Sequence, residues 1–335
     1  MINKIYAKIK ELIKTNYKGL ITILVIFMLF MIELPYSIYT PGGAVNLNER
    51  IIIDDEYDTK GSFNMAYVSM VKGSIPFILM SKVFPDWDIV RKEDITIENE
   101  SMDELLAREK LYMKESIDNA VINAYKKAGK EISITKYNNN ISYIVSNAKT
   151  DLKIGDNIIN VNGVDINSFT DLKNIIEGLE ENTKLKIKII INNKEKEAYA
   201  ITYKTEDGIK IGVSLITTYE YCTNQDVDVK SKSSEAGSSG GLMMSLTIYN
   251  KLVEEDITKG KKIVGTGTID VDGNVGVIGG VKYKLIGAVK NKADIFICPE
   301  DNYEEAISVA KEKGYNIKII SAKSFDEVLT KLADM

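Results

Sequence analysis

The chain of 335 residues contains no histidine, the side chain that most often acts as a general base near neutral pH. Without histidine or clustered cysteines, the ligand sets of most catalytic zinc sites are also missing. The two cysteines, Cys222 and Cys298, form no CxxC pair, so no disulfide is inferred and their redox state stays open. We therefore predict no metal site and no cofactor, and a nucleophile in this chain needs a base other than imidazole.

Further sequence motifs are missing, and their absence argues against three classes of function. The sequence has no phosphate-binding loop of the form GxxxxGK followed by serine or threonine, so we expect no ATP hydrolysis. A net charge of −5 and the lack of a basic, aromatic-rich segment argue against nucleic-acid binding. The run Asp270–Asn274 has the acidic spacing of a calcium loop but lacks its downstream glutamate. A hairpin with an Asp-Gly turn explains this run better.

A serine among small residues is the first candidate for chemistry. Ser239 lies in the run Gly237-Ser238-Ser239-Gly240-Gly241, immediately before a predicted apolar helix. Small residues permit a tight turn that exposes the hydroxyl, and a helix N-terminus offers unpaired N–H groups to a developing oxyanion. Gly237, Ser238 and Gly240 are therefore candidate residues of the turn and the oxyanion site. Taken alone, such a run is far more often an ordinary loop.

The missing imidazole leaves lysine as the base for this serine. The run Gly279–Lys284 opens a predicted helix and contains two lysines, Lys282 and Lys284. At a reference pKa of about 10.4, only roughly 0.04% of a lysine is neutral at pH 7. Burial among apolar groups disfavours the charged amine and moves its pKa towards the 7–8 of a competent base. Each lysine has apolar residues on its own helix face, so periodicity does not choose between them.

From about Gly212 to its end, the chain resembles the proteolytic domain of the Lon family. The members of this family are endopeptidases that use a serine and a lysine. The family pattern Gly-Pro-Ser-Ala-Gly before an apolar helix corresponds to Gly237–Gly241. A second family pattern combines a Thr-Gly strand, a hairpin and Gly-Gly-x-Lys-x-Lys. It corresponds to Thr266-Gly267 and Gly279–Lys284 in this sequence.

The resemblance implies a role for each matching residue. Ser239 is the expected nucleophile, Lys284 the expected base, and Thr266 the residue expected to orient the lysine. The chain departs from the pattern at Ser238, where the family has proline, and at Gly240, where the family has alanine. Both departures loosen the turn without removing a reacting group, so they put the rate in doubt more than the chemistry.

The N-terminal region contains an uncharged apolar run from 19 to 32. At about 1.5 Å per residue it measures about 21 Å, short of a bilayer core of about 30 Å. Extension from Tyr17 to Tyr39 gives enough length but includes Lys18 and Glu33 near the ends. The alternative is a cleaved signal peptide, but cleavage needs small residues where this chain has Glu33–Tyr36. We therefore predict an uncleaved single-pass anchor.

Charge predicts the orientation of this anchor. Five lysines precede the span, at Lys4, Lys8, Lys10, Lys14 and Lys18, whereas the following stretch is acidic through Asp54–Glu56. Positive residues stay on the cytoplasmic side, so we expect a cytoplasmic N-terminus and an extracellular protease domain at the cell membrane.

The middle of the chain divides into two further segments. Ser101 and Glu104 have capping-box spacing at the start of a predicted helix that reaches about Lys127, which we interpret as a structural spacer. Beyond it, Leu152–Asp156 followed by Val161–Gly163 resembles a PDZ domain of the kind attached to bacterial proteases. Such domains bind an extended peptide as an added strand, with side-chain pockets giving specificity.

The peptide groove of this domain is expected between a strand at Ile141–Val145, which follows a predicted turn at Asn138–Asn140, and the helix after Phe169. The alternative is a small β-rich spacer that has lost its groove. The predicted fold is mixed α/β (α+β). The predicted segments are a cytoplasmic tail at 1–18, a transmembrane anchor at 19–40, a strand-rich segment with a helix at 41–130, a PDZ domain at 131–205 and a Lon-type proteolytic domain at 206–335.

The whole arrangement is similar to the membrane-anchored, PDZ-containing Lon-like serine endopeptidases of Gram-positive bacteria. This resemblance implies ATP-independent cleavage of extracytoplasmic peptides or of flexible segments in membrane-tethered or secreted proteins, with the PDZ domain recruiting substrate. The alternative is a catalytically degenerate, membrane-tethered binding or scaffold protein, which only Ser238 and Gly240 favour. The sequence leaves open the substrate, the cleavage-site preference, a homo-oligomer, and whether the PDZ domain gates the site or only recruits.

Overall fold

A computed structural model describes residues 2–97, 100–191 and 193–335, with side chains from residue 10 onward. The chain forms two compact units. One contains the residues up to Pro41 together with Val68–Ile95, and the other contains Gly42–Tyr67 together with Thr96–Met335.

The first unit is built on one long N-terminal helix, Ile2–Met31. Within it, Lys10–Met31 has a mean hydropathy of 1.5 and none of it is buried, so this helix is long and apolar enough to cross a membrane. The other elements of this unit are the start of strand Tyr36–Asn46, the end of strand Ser62–Lys72, helix Ile75–Ser81, strand Asp88–Arg91 and the 3-10 turn Lys92–Asp94.

The N-terminal helix ends nine residues before the predicted end of the anchor at residue 40. Pro35 cannot donate a helical hydrogen bond, and it disfavours helical backbone at Leu34. The chain therefore turns extended, and Tyr36–Tyr39 pairs antiparallel with Asp88–Arg91. Tyr36 and Tyr39 belong to a β-strand, not to the end of a membrane helix as we expected.

The second unit contains an α/β region with parallel strand pairs. Its strands are Ser62–Lys72 (through residues 62–65), Lys262–Gly265, Ile295–Pro299 and Lys318–Ala322. The helices of this region are Met102–Lys127, Gly241–Leu252, Val281–Lys290, Glu300–Lys313 and Phe325–Ala333. Strands buried on both faces read as continuous apolar runs, as in Ile295–Cys298, where every residue is buried. Cys298 is thus a buried strand residue, and both cysteines are free thiols.

The second unit also contains a β-rich region with its own core. A seven-stranded sheet is formed by Ile132–Ile144, Lys149–Thr150, Asn157–Val161, Val164–Asp165, Lys184–Ile191, Lys194–Ile201 and Val213–Thr223. Helix Phe169–Glu177, capped by Ser168 and Asp171, packs its apolar face on this core. Three two-stranded pairs complete the second unit: Tyr203–Thr205 with Gly208–Lys210, Ile51–Ile53 with Val227–Val229, and Thr268–Ile269 with Val275–Gly276.

The predicted turn at Asn138–Asn140 is wrong, because these residues lie inside strand Ile132–Ile144. Their polar groups are satisfied within the sheet. The Asn140 amide donates to Thr218 Oγ1 at 2.9 Å, and the Asn139 backbone N–H donates to Asn157 Oδ1 at 2.9 Å. Three consecutive asparagines are typical of turns, but tertiary hydrogen bonds override that preference here.

Candidate active site

Ser239 lies on a turn that leads into helix Gly241–Leu252, named here the serine helix. The turn needs Gly237, whose φ of 96° lies in the region that favours glycine. The Gly237 N–H donates to the Glu109 carbonyl oxygen at 2.9 Å, and Ser116 Oγ donates to the Ser238 carbonyl oxygen at 2.8 Å. The backbone on the N-terminal side of the serine is therefore held by residues of helix Met102–Lys127.

Lys284 lies on helix Val281–Lys290, named here the lysine helix. The helix begins at Gly280, whose left-handed φ of 70° explains the glycine at its entrance. Val281, Leu285 and Ala288 are fully buried around the lysine, which confirms the predicted apolar stripe. Lys284 itself is only 4% exposed, so its amine lies in an environment of low polarity.

The structure brings the three predicted site residues together. Lys284 Nζ lies 2.9 Å from Ser239 Oγ and 3.0 Å from Thr266 Oγ1. Thr266, which is fully buried, donates its hydroxyl to the Ser239 carbonyl oxygen at 3.0 Å. The Gly267 N–H donates to the same carbonyl at 2.8 Å. The serine, the lysine and the threonine thus form one connected polar cluster.

Burial shifts the acidity of the lysine in the direction that a base requires. Desolvation lowers the pKa of Lys284 from 10.5 to about 8. With that pKa, about a tenth of the amine is neutral at pH 7, compared with roughly 0.04% for a lysine in water. Lys284 is therefore chemically able to accept the proton of a serine hydroxyl.

The other lysine of the motif occupies a different place. Lys282 Nζ lies 5.3 Å from the ring centre of Tyr283, and the Lys282 side chain is only partly buried. The distances to Ser239 and Thr266 therefore distinguish the two lysines where helical periodicity could not.

The departure at Gly240 has a structural counterpart. A Cβ atom built on Gly240 would overlap the sulfur of Met65. Met65 thus fills the space that the alanine methyl group of the family pattern would take. A Cβ on Gly241 would also lie only 2.5 Å from Ser116 Oγ. The turn is closely packed, and the glycine at 240 does not leave it loose as we expected.

Two backbone N–H groups at the turn are available to a ligand. In the described part of the chain, the N–H groups of Ser239 and Gly240 make no hydrogen bond. The first N–H groups of the serine helix carry its positive dipole end at the same place. This arrangement can stabilise negative charge that develops on a carbonyl oxygen next to Ser239 Oγ.

A cleft of about 340 Å³ lies beside Ser238. Its walls come from helix Met102–Lys127 and from the hairpin after Thr266, and they comprise Tyr112, Glu115, Ser116, Asn119, Ser238, Thr268, Ile269, Asp270, Asn274, Val275 and Gly276. Asn119 donates to the Ile269 carbonyl oxygen, while its own Oδ1 has no partner within the described residues. Burial, together with the negative charge of Asp118, raises the pKa of Glu115 to about 7.

Asp270 stabilises the hairpin turn. Its Oδ1 accepts from the backbone N–H groups of Asp272 and Asn274 at 2.9 and 2.8 Å. These bonds fix the Asp-Gly turn that the sequence predicted. Among the described residues, no group of three or more acidic or cysteine side chains is placed to hold a metal ion.

Helix Met102–Lys127 has the predicted capping box, in which Ser101 Oγ accepts from the Glu104 N–H. Its interpretation as a spacer missed that it packs on the serine helix and supplies Ser116 and Glu109 to the nucleophile turn. A signal was present, because polar residues interrupt the apolar repeat on the buried face. They are Ser116, Asp118, Asn119 and Asn123, and all are buried.

The predicted peptide groove is misplaced by one strand. Residues Ile141–Ile144 pair with Val213–Leu215 along one edge, and along the other edge Ile141 exchanges hydrogen bonds with Gly155 and Asp156. Both edges of the strand are therefore occupied at Ile141, where the predicted groove begins. Val213–Thr223 is instead the terminal strand of the sheet within the described residues.

Helix Phe169–Glu177 and the start of that terminal strand pack on the same apolar core. The helix contacts Gly208–Lys210, which leads directly into the terminal strand. Ile175, Val213 and Leu215 are partly buried against one apolar core. A strand edge beside an apolar helix face is the arrangement that binds an extended peptide by strand addition.

Comparison with known proteins matches both regions of the second unit. Residues 207–334 match the family model described as the Lon protease (S16) C-terminal proteolytic domain, and residues 115–190 match that of the PDZ domain. The chain therefore carries a Lon-type proteolytic domain and a PDZ domain in a mixed α/β structure. Neither match covers half of the chain.

Curated relatives support the first match. The chain is 34% identical over 93 residues to the Lon protease of Trichlorobacter lovleyi, covering 28% of this chain and 11% of that protein. It is 25% identical over 142 residues to the Lon protease of Desulfatibacillum aliphaticivorans, covering 42% of this chain and 17% of that protein. The chain thus spans only a small part of these relatives.

One solved structure covers a quarter of this chain. The PDZ domain of the SdrC-like protein from Listeria monocytogenes shares 18% identity, with 25% of this chain and 93% of that chain covered. The TM-score of 0.23 adds nothing to the assignment that the family match gives.

Proposed function

We propose that this protein is an ATP-independent serine endopeptidase that cleaves extracytoplasmic peptides or flexible segments of secreted and membrane-tethered proteins. The observation that carries the proposal is the 2.9 Å distance between Lys284 Nζ and Ser239 Oγ at a buried lysine. In the absence of histidine, this pair supplies both the nucleophile and the base that acyl transfer requires.

The first half of the reaction forms an acyl-enzyme. Neutral Lys284 takes the proton of Ser239 while Oγ attacks the scissile carbonyl carbon, and the carbonyl oxygen becomes an oxyanion. The N–H groups of Ser239 and Gly240 stabilise this oxyanion. The Lys284 ammonium then protonates the leaving amine as the peptide bond breaks, so the lysine returns to its neutral form.

The second half of the reaction releases the acyl group. Lys284 accepts a proton from water, which attacks the ester carbon, and the ammonium returns that proton to Ser239 Oγ. Throughout the cycle Thr266 Oγ1 accepts a hydrogen bond from the lysine and donates one to the Ser239 carbonyl oxygen. Thr266 therefore fixes the lysine relative to the serine.

The membrane assignment is part of the proposal. Helix Ile2–Met31 contains the apolar stretch Lys10–Met31. Lysines lie before this stretch and in its first half. The excess of lysine at this end favours a cytoplasmic N-terminus, which places the protease domain outside the cell. Substrates there are accessible without an unfolding motor when they are peptides or unstructured segments.

The PDZ domain supplies a route for recruitment. We assign peptide binding to the edge of strand Val213–Thr223, with Ile175, Val213 and Leu215 available for substrate side chains. The same strand continues to Tyr219, whose N–H donates to Asp118 on helix Met102–Lys127 at 2.9 Å. Recruitment and cleavage therefore use elements joined by direct hydrogen bonds.

The alternative of a degenerate scaffold rested on Ser238 and Gly240. The Ser238 carbonyl is held by Ser116, and the space beside Gly240 is filled by Met65. Neither departure displaces the reacting groups, so no observation favours the scaffold over the enzyme.

The test is cleavage by the full chain reconstituted in lipid vesicles, using a panel of unstructured peptides without ATP. The wild type should cleave members of the panel, and Ser239→Ala should abolish cleavage because the nucleophile is gone. Ser233→Ala, a change at an exposed serine in the preceding loop, is the matched control and should retain full activity. Activity that survives in Ser239→Ala would refute the proposal.

A further inference from the structure

A continuous apolar segment of the first unit is left unburied by the described residues. Helix Ile75–Ser81 has the sequence Ile-Pro-Phe-Ile-Leu-Met-Ser, and none of its residues is buried. Leu79 is 64% exposed, and in the following turn Val83 is 75% and Phe84 44% exposed. Soluble proteins rarely expose so many large apolar side chains in one continuous segment. Residues 75–87 are named here the aromatic patch.

The aromatic patch joins the end of the proposed membrane span. Phe30, in the last turn of helix Ile2–Met31, packs edge-on against Phe77 with ring centres 5.4 Å apart. Trp87 continues the contact, with its ring centre 6.4 Å from Phe77 and 5.0 Å from Phe84. The patch is therefore held beside the last turn of the helix that is proposed to span the membrane.

Charged groups lie just beyond this level. Glu33 accepts from Lys92 at 2.7 Å and from Lys72 at 3.2 Å, and the Leu34 N–H donates to the Gly73 carbonyl oxygen at 2.8 Å. These contacts join the segments on either side of the patch to the chain that leaves the helix. A layer of apolar and aromatic side chains followed by ion pairs matches the polarity change across a lipid interface, where tryptophan is enriched.

We infer that the aromatic patch inserts into the lipid interface on the side of the membrane where helix Ile2–Met31 ends. Leu79, Val83 and Phe84 enter the region between the headgroups and the acyl chains, to a depth of about 5–10 Å. The patch is then a second membrane contact, and it holds strand Asp88–Arg91, which follows it, at a defined distance from the bilayer. This inference rests on the membrane anchor of the proposed function.

Trp87 makes the inference testable without a label, because it is the only tryptophan in the chain. The full chain is reconstituted in phosphatidylcholine vesicles, and vesicle flotation confirms its incorporation. Tryptophan emission is then measured with lipids brominated near the headgroup end of the acyl chain, and separately with aqueous acrylamide. We expect blue-shifted emission that the brominated lipids quench strongly and that acrylamide quenches weakly.

A variant set assigns the effect to the patch. The combined change Leu79→Ser, Val83→Ser and Phe84→Ser should weaken bromolipid quenching and increase acrylamide quenching several-fold, while the protein still floats with vesicles. Ile307→Ser removes an exposed apolar side chain elsewhere, on helix Glu300–Lys313, and should leave both measurements unchanged.

The outcomes separate this inference from the function on which it rests. A chain that does not float with vesicles overturns both the membrane anchor and the inference. A chain that floats and cleaves peptide, but whose Trp87 is open to acrylamide and untouched by bromolipids, overturns the inference alone. Trp87 shielded from both quenchers also overturns it, and shows that a protein surface such as a second copy covers the patch.

Discussion

Lys284 Nζ lies 2.9 Å from Ser239 Oγ, although the two residues are 45 positions apart in the chain. The serine helix and the lysine helix each begin at a glycine, and their N-terminal turns bring the two side chains together. Burial of the lysine is what turns this proximity into reactivity, because only a neutral amine accepts a proton.

The first prediction concerns the two lysines of the motif. Lys284→Arg should reduce kcat by at least about 10²–10⁴-fold, since a guanidinium stays charged and cannot act as a base. Lys282→Ala should have a much smaller effect, because Lys282 lies over Tyr283 and not at the serine. Steady-state cleavage of one peptide by both variants checks the ranking, and a reversed order would mean that the base is Lys282.

The second prediction is that burial of the Lys284 amine lowers the free energy of unfolding. At pH 7 Lys284→Met should raise the free energy of unfolding by about 1–3 kcal/mol, because the buried amine has a pKa lowered from 10.5 to about 8. The unfolded chain binds more protons than the folded chain between these pKa values, so the wild type gains stability as pH rises from about 8 to 10.5. Urea unfolding should therefore show the difference between variant and wild type shrinking over that range. A difference that grows with pH would contradict the assigned shift.

The third prediction concerns Ser116 as a positioning residue. Ser116→Ala removes the hydrogen bond to the Ser238 carbonyl oxygen and should lower kcat about fivefold, with little change in KM, since one lost hydrogen bond is worth about 1 kcal/mol. Ser101→Ala is the matched control on the same helix, where it removes the N-terminal cap. It should cost about 1 kcal/mol of stability while leaving kcat unchanged. Equal kcat values in the two variants would show that Ser116 acts only on stability.

The fourth prediction concerns Val213–Thr223, the terminal strand of the seven-stranded sheet that contains the PDZ strands. Ile175→Ser should raise KM for long peptides that reach this edge, while kcat and the cleavage of short peptides stay unchanged. Val164→Ser, at an exposed position on another strand of the same sheet, should change neither. An equal rise in KM for short peptides would place Ile175 in the active site and not in recruitment.

The sequence was sufficient for the parts of the site that depend on local chemistry. The glycines before Ser239 and before Lys284 marked helix entrances, and the apolar residues around Lys284 marked its burial. Both features depend on residues within about one helical turn of each other, so they can be recognised from one sequence without knowledge of the tertiary structure. The family resemblance supplied what periodicity could not, namely which of the two lysines faces the serine.

The errors came from long-range pairing. The peptide edge was placed on Ile141–Val145 because alternation identifies a strand but not its neighbours in the sheet. The asparagines at 138–140 form no turn because Thr218 and Asn157, distant in sequence, satisfy their polar groups. The role of Ser116 was invisible for the same reason, since its partner lies 122 positions away.

The measurement that tests the account most directly is the pH dependence of Ser239 acylation. A serine-reactive peptide probe is added to the full chain at a series of pH values, and mass spectrometry follows the labelling rate at residue 239. With the pKa of Lys284 lowered to about 8, the rate should rise with pH as one proton is lost, with a midpoint near pH 8 and a plateau above it. A rate that does not change with pH, a midpoint above pH 10, or labelling at another serine would contradict a neutral Lys284 as the base.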